Sequence, residues 1–226
     1  MVGTEEFIGD FKVFYTVLNK INSSPQGLPR LSRKELLTNT WGAKPHVLRT
    51  SALALSFSAA EHLQSELDIL RVNRLHSKWS QVISKLASGL HPTSQEVIEC
   101  QSLFGHIPYN IGSLSTGHVR SLLKIHAMHM GWRRKKRLQQ KAKAIYLMDC
   151  AIIREGGAEA LNYDELRYAC SLRGLNPTNM KQKDMTEWLK GWLRITEVIT
   201  EDNLSLVLHC PVLLAYNHVN NWSLRR

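Results

Sequence analysis

Apolar residues recur three and four positions apart along almost the whole chain, and strict alternation sustained over a strand length is rare. That periodicity specifies helices with one apolar face and gives no basis for a half-buried sheet, so the fold class is all-α. Phe7, Phe11, Phe14, Leu18 and Ile21 begin the pattern on a first helix, which ends in the Ser-, Pro- and Gly-containing stretch 22–29. A second break falls at 42–45. Helical spacing then resumes through Leu70, and Trp79, Val82, Ile83 and Leu86 mark a further helix. No internal repeat or low-complexity tract interrupts the series. At 226 residues, with 43% hydrophobic and 21% charged, the chain carries enough apolar material for a real core.

The strongest local signals follow. Gly89 closes one helix, and Thr93 with Glu96 forms a capping-box pattern opening another, which carries Val97, Leu103 and Phe104 and stops at Gly105. Ser115 fits the cap of the next, with Leu114 and Val119 placed as a hydrophobic staple. That helix shows Val119, Leu122, Leu123, His126 and Met130 on one face, which sets His126 in an apolar stripe. Leu138, Ala142, Ile145 and Ile152 continue a helix to about residue 155, where Gly156 and Gly157 end it.

Several function classes find no support. Residues 1–10 lack a basic region followed by an apolar run, so no secretory leader is expected. The most apolar stretches, 51–60 and 204–216, are shorter than the ~20 residues of a membrane helix, and His209 and Pro211 interrupt the second. Cys100, Cys150, Cys170 and Cys210 are dozens of residues apart with no zinc-ligand spacing, so they read as reduced, mostly buried thiols. His118, His126 and His129 fall at helical spacing but have no Cys or carboxylate among them, and we expect no metal and no cofactor. Phosphate-cradling glycine loops, HExxH, GxSxG and calcium-loop motifs are absent, and nothing argues for an enzyme.

Charge is the informative property. Lys and Arg number 29 against 19 Asp and Glu, for a net charge of +10. Residues 118–148 hold nine of the cations (Arg120, Lys124, Arg133, Arg134, Lys135, Lys136, Arg137, Lys141 and Lys143) and no acid, so the remainder of the chain is nearly neutral. Like charges at helical spacing destabilise a helix by roughly 0.2–0.5 kcal/mol per pair. A dense cationic stripe of this kind fits phosphate contacts with RNA or DNA, or anionic lipid at a membrane surface. The alternative is a solvated face paired with carboxylates elsewhere. Trp132 adjoins the run and fits a base-stacking or lipid-interface position, although a lone Trp at a helix end more often belongs to the core.

Residues 161–193 form the most distinctive unit. Asn162 caps a helix with Asp164 and Glu165 in its first turn; Leu166, Ala169 and Cys170 face inward, and Gly174 ends it. A loop through Asn176 and Pro177 leads to a second helix with Met185, Trp188, Leu189, Trp192 and Leu193 in one broad stripe, read as core. The helix, extended loop and helix also look like a SAP nucleic-acid-binding motif, whose function would need Lys181, Lys183 and Lys190 on its outer face.

The wording Leu161-Asn162-x-x-Glu165-Leu166-x-x-Ala169-Cys170-x-x-Arg173-Gly174, followed by Trp188-Leu189-x-x-Trp192-Leu193 and the apolar segment 204–216, resembles the ribosome-binding-like domain of the LETM family of mitochondrial inner-membrane proteins. The resemblance is closest to the short branch without EF hands. It is best over 147–216, extends to 83–130 through Gly89, Pro92, Glu96, Leu103 and Phe104, and is slight over 1–75; we take the whole chain as one domain. It implies a multi-helix 14-3-3-like fold of right-angled and antiparallel helices. The domain would face the mitochondrial matrix, behind a transmembrane anchor and transit peptide outside these residues. The implied partners are mitochondrial ribosomes, through ribosomal RNA or protein, and inner-membrane proteins and anionic lipid, in translation, scaffolding of the inner membrane or cation balance. Where relatives cap the second helix with Thr this chain has Lys181, which leaves Asn179 with Gln182 as the expected box. Calcium regulation does not carry over. The basic stripe belongs to no family motif and rests on the charge pattern alone.

Overall fold

The computed structural model describes residues 60–63 and 77–222, and every regular element among them is helical. The expected first helix over Phe7–Ile21, the breaks at 22–29 and 42–45 and the helical spacing up to Leu70 lie mainly outside these residues. The order is α1 (Ser77–Ala87), α2 (Ser94–Glu99), a 3-10 turn (Gln101–Phe104), α3 (Thr116–Ile125), α4 (Arg134–Arg154), a second 3-10 turn (Gly157–Ala160), α5 (Tyr163–Leu172), α6 (Gln182–Thr196), α7 (Ser205–Ala215) and α8 (Val219–Trp222).

Helix α7 is the axis of the fold. Its sequence is apolar on every side, so it is stable only when surrounded, and all of its residues are buried. It packs against α3, α4, α6 and the first 3-10 turn. Around it close Leu122 and Leu123 of α3, Leu138, Ala142 and Ile145 of α4, and Leu189 and Trp192 of α6, and the same core extends to Trp79, Val82, Ile83 and Leu86 of α1. Each large side chain so enclosed contributes about 1.5–3 kcal/mol. Trp79 meets Phe104 edge-on at 5.6 Å between centroids.

Caps set the element ends. Thr93 and Glu96 form the expected reciprocal box, as do Asn162 and Glu165, and Ser115 accepts from the His118 N–H. Gly174 ends α5 at φ +89°, with Leu175 N–H donating to Cys170 O at 3.1 Å and Gly174 N–H to Ser171 O at 3.1 Å. This six-to-one and five-to-two pairing satisfies the last carbonyls. A Cβ at Gly174 would lie 3.0 Å from Pro211 Cβ, so glycine also lets α5 approach α7.

Four expectations are corrected. The helix opened by Thr93 is broken at Cys100 and continues as a 3-10 turn. Helix α3 stops at Ile125, because Ala127 adopts φ 51° and Met128 N–H closes back on Leu123 O at 2.7 Å; Met130 therefore leaves the apolar face and is exposed. The Asn179–Gln182 box does not form: Asn179 is left-handed at φ 59°, and Lys181 is the N-cap of α6 with no side-chain cap bond. Trp132 is not core but 90% exposed.

Buried polar groups pin the bundle. Asp149 of α4 is fully enclosed and binds Arg173, whose Nε donates to Oδ1 at 3.0 Å. The same carboxylate accepts from Trp192 Nε1 and Thr196 Oγ1, both at 2.8 Å, and Arg173 Nη1 donates to Ala169 O at 2.6 Å. One carboxylate thus ties α4 to α6 and to the end of α5. A second buried pair joins α3 to α7. His209 Nδ1 lies 2.7 Å from Ser205 O, a carbonyl, and so carries the proton, which leaves Nε2 to accept from His118 Nε2 at 2.7 Å. Burial lowers His209 to about 4 and His118 to about 2, keeping both rings neutral.

Candidate polyanion-docking surface

Helix α4 begins badly by the usual rules. Its N-cap, Arg133, is left-handed at φ 54° and supplies no side-chain cap, and its first turn contains no acid. The free backbone N–H groups at a helix start carry partial positive charge, so cations there are unfavourable by about 0.3–1 kcal/mol each at low salt. Arg133, Arg134, Lys135, Lys136 and Arg137 occupy this end. The local field is therefore positive twice over, from the helix and from the side chains.

The nine predicted cations divide by environment rather than forming one row. Arg120 and Lys124 are exposed four residues apart on α3. Arg133, Lys135 and Lys136 are exposed at the start of α4, with Arg134 half-buried. Arg137 is folded back: its Nη2 donates to His129 O at 2.5 Å, while its buried Nε has no partner. Lys135 Nζ donates to Gly112 O at 2.6 Å. Lys141 is tucked toward the core, where burial and the nearby Arg173 lower its pKa to about 8. Lys143 reaches Glu201 at 3.4 Å.

Carboxylate pairing, the bland explanation of a charged helix, is sparse. Among the described residues Arg120, Lys124, Arg133, Arg134, Lys135, Lys136 and Arg137 make no ion pair. Exposed Trp132 stands directly before them. By contrast Lys190, one of the SAP-face residues, is held by Glu159 at 2.7 Å and Glu187 at 3.1 Å.

The described residues contain no group of three or more His, Cys, Asp or Glu able to hold a metal. No helix among them is long and apolar enough to cross a membrane. The four cysteines are free thiols, with Cys100, Cys170 and Cys210 buried and Cys150 half-buried.

The model of one protein family, described as LETM1-like, RBD, matches residues 42–213. The chain belongs to this family. The LETM1-like RBD chain is 28% identical over 155 residues to LETM1 domain-containing protein 1 of Xenopus tropicalis, an alignment covering 67% of this chain and 44% of the relative. It is 27% identical over 161 residues to the protein of the same name from Homo sapiens, covering 70% and 44%. The chain thus spans under half the length of the curated relatives it matches. No solved structure matches it.

Two features of this LETM1-like RBD chain, one on its surface and one in its core, escaped sequence reasoning. Gln139 and the residues facing it across a cleft carry no local signal, because they meet only through the tertiary fold. Asp149 did leave one: it fills the i+4, i+7, i+11, i+14 row of Leu138, Ala142, Ile145 and Ile152, where a charged residue signals a buried partner.

Proposed function

We propose that this domain is the matrix-facing part of a LETM-type mitochondrial inner-membrane protein and docks on mitochondrial ribosomes through the electropositive start of α4. The supporting observation is the uncapped helix end at Arg133, followed by four cations in the first turn, none of which makes an ion pair among the described residues. Such an arrangement costs the isolated domain stability, and a bound polyanion offsets that cost by neutralising both the side chains and the helix end. Arg120 and Lys124 on α3 extend the positive surface. Contacts of this type position a partner through its phosphates and carry little sequence information. Where the parent protein organises the inner membrane, the same domain serves as the scaffold element that meets the translation machinery.

The nucleic-acid reading of the helix–loop–helix at 163–196 is less favoured, because Lys190 is already engaged by two carboxylates. A direct test is cosedimentation of the domain with purified mitochondrial ribosomes, comparing wild type with Arg133, Arg134, Lys135, Lys136 and Arg137 all changed to Ala. Wild type pellets with ribosomes and the folded variant stays in solution. Equal behaviour of the two would remove α4 from the contact.

A further inference from the structure

Beside the free cations lie two features that a purely electrostatic contact would leave unused. The first is Trp132, 90% exposed and set immediately before Arg133. Its loop is held in place: Arg137 Nη2 donates to His129 O at 2.5 Å and reaches Gly131 O at 3.5 Å, and Gly131 N–H donates to His129 Nδ1 at 3.1 Å. A Cβ at Gly131 would stand 2.7 Å from that Nδ1, so a side chain there would displace the exposed imidazole and its bond to the loop. The indole is thus presented on a preorganised loop, which lowers the entropy cost of using it.

The second feature is a cleft of about 890 Å3 along the exposed side of α4. Gln139 and Lys143 line it from α4, and Gln101, Asn110, Glu201 and Asn203 line it from the facing segments. Gln139 and Lys143 follow Lys136 by three and seven residues, so they continue the same helix face. Lys135 ties the cleft to the cationic end by its bond to Gly112 O, since Gly112 is also a lining residue.

We infer that this surface takes an unpaired RNA strand: one base stacks on Trp132, a neighbouring base enters the amide-lined cleft, and the intervening phosphates lie on Arg133, Arg134 and Lys136. The inference rests on the ribosome-docking reading and narrows the contact to single-stranded RNA. An indole face stacks on any base. Gln139 is exposed at the cleft, and its amide offers an adjacent donor and acceptor that match a base edge, whereas Asn203 is already bonded to Gln101 and Thr200. Glu201, paired with Lys143 at 3.4 Å, keeps a carboxylate oxygen in the cleft that accepts from the amino groups of bases. Duplex RNA withholds both its base faces and most of its edges. A bilayer has no use for the amide groups and the carboxylate that line the cleft. The apolar surface of this loop, one indole and a 41%-exposed Met130, is also small beside a single acyl chain, which anchors only marginally.

The test is fluorescence anisotropy of the 226-residue chain with a labelled 12-nucleotide RNA of mixed sequence, single-stranded or annealed to its complement, alongside flotation with vesicles rich in anionic phospholipid. The single strand binds more tightly than the duplex. Trp132→Ala weakens single-strand binding at least about fivefold while leaving duplex binding and the melting temperature unchanged, and Gln139→Ala weakens the single strand alone. A combined Arg133→Ala, Arg134→Ala and Lys136→Ala variant weakens both RNA forms. Equal affinity for single strand and duplex, a Trp132→Ala variant that binds as wild type, or Trp132-dependent binding confined to vesicles overturns the inference. Ribosome binding lost in the cation variant but intact in Trp132→Ala also overturns it, and leaves the docking reading standing.

Discussion

Replacing Asp149 by Leu tests the packing account at its most demanding point. The side chain is fully enclosed and accepts hydrogen bonds from Arg173, Trp192 and Thr196. Its removal strands the enclosed guanidinium of Arg173, which costs about 3–5 kcal/mol. The Trp192 N–H and Thr196 hydroxyl lose their acceptor as well, at about 1–3 kcal/mol each. Against a typical domain stability of about 5–15 kcal/mol, Asp149→Leu leaves the domain marginal or unfolded. A second change should then help: Asp149→Leu with Arg173→Met removes the uncompensated charge and restores apolar contact, so the double variant is more stable than Asp149→Leu alone. Urea denaturation followed by far-ultraviolet circular dichroism measures this. With a slope of about 2 kcal/mol per M, the rescue moves the midpoint upward by about 1.5 M or more. A double variant whose loss equals the sum of the single losses would refute the argument, because it would show that Arg173 is not stranded by the loss of Asp149.

Three further outcomes follow from local geometry. Ala127→Gly relieves a left-handed alanine at φ 51° and stabilises the domain by about 1 kcal/mol; thermal melting detects it, and an unchanged or lower midpoint counts against the αL cap. Gly174→Ala strains φ +89° and drives its Cβ toward Pro211, so stability falls by about 1–3 kcal/mol, read by the same melt. Acid weakens the fold through its buried histidines: burial depresses His126 and His209 to about 4 from the ordinary 6.5. Their neutral-state stability is therefore full above pH 6.5 and lost progressively as pH falls toward 4. His209→Gln flattens part of that slope, and a wild-type midpoint constant from pH 7 to pH 4.5 would contradict the assignment.

Much of the fold was legible because its signals are local. The i, i+3, i+4 spacing of Trp79, Val82, Ile83 and Leu86 marks a buried face on one helix, and Thr93–Glu96 and Asn162–Glu165 are caps made by residues three apart. Of the broad stripe Met185, Trp188, Leu189, Trp192 and Leu193, all are buried except Trp188, which is half-buried against the core. What was hidden depends on distant chain. Helix α3 ends on an alanine in a conformation usually given to glycine, so no residue type announced the stop, and Met130 and Trp132 were misplaced with it. The cationic residues were visible as charge, yet which of them fold back depends on the carbonyls of His129 and Gly112. Sequence spacing cannot show that Arg137 and Lys141 turn inward while Arg133 and Lys136 stay in solvent. The cleft beside Gln139 gathers side chains up to about a hundred positions apart in the chain.

The central claim is that the start of α4 is a phosphate-contact surface, and the salt dependence of ribosome affinity tests it most directly. Affinity of the wild-type domain for purified mitochondrial ribosomes should fall steeply and linearly in log–log form as salt rises, with a slope reduced by roughly 0.7–0.9 for each contacting cation removed among Arg133, Arg134 and Lys136. A wild-type affinity insensitive to salt, or a slope unchanged when all three are replaced by Ala, would contradict it.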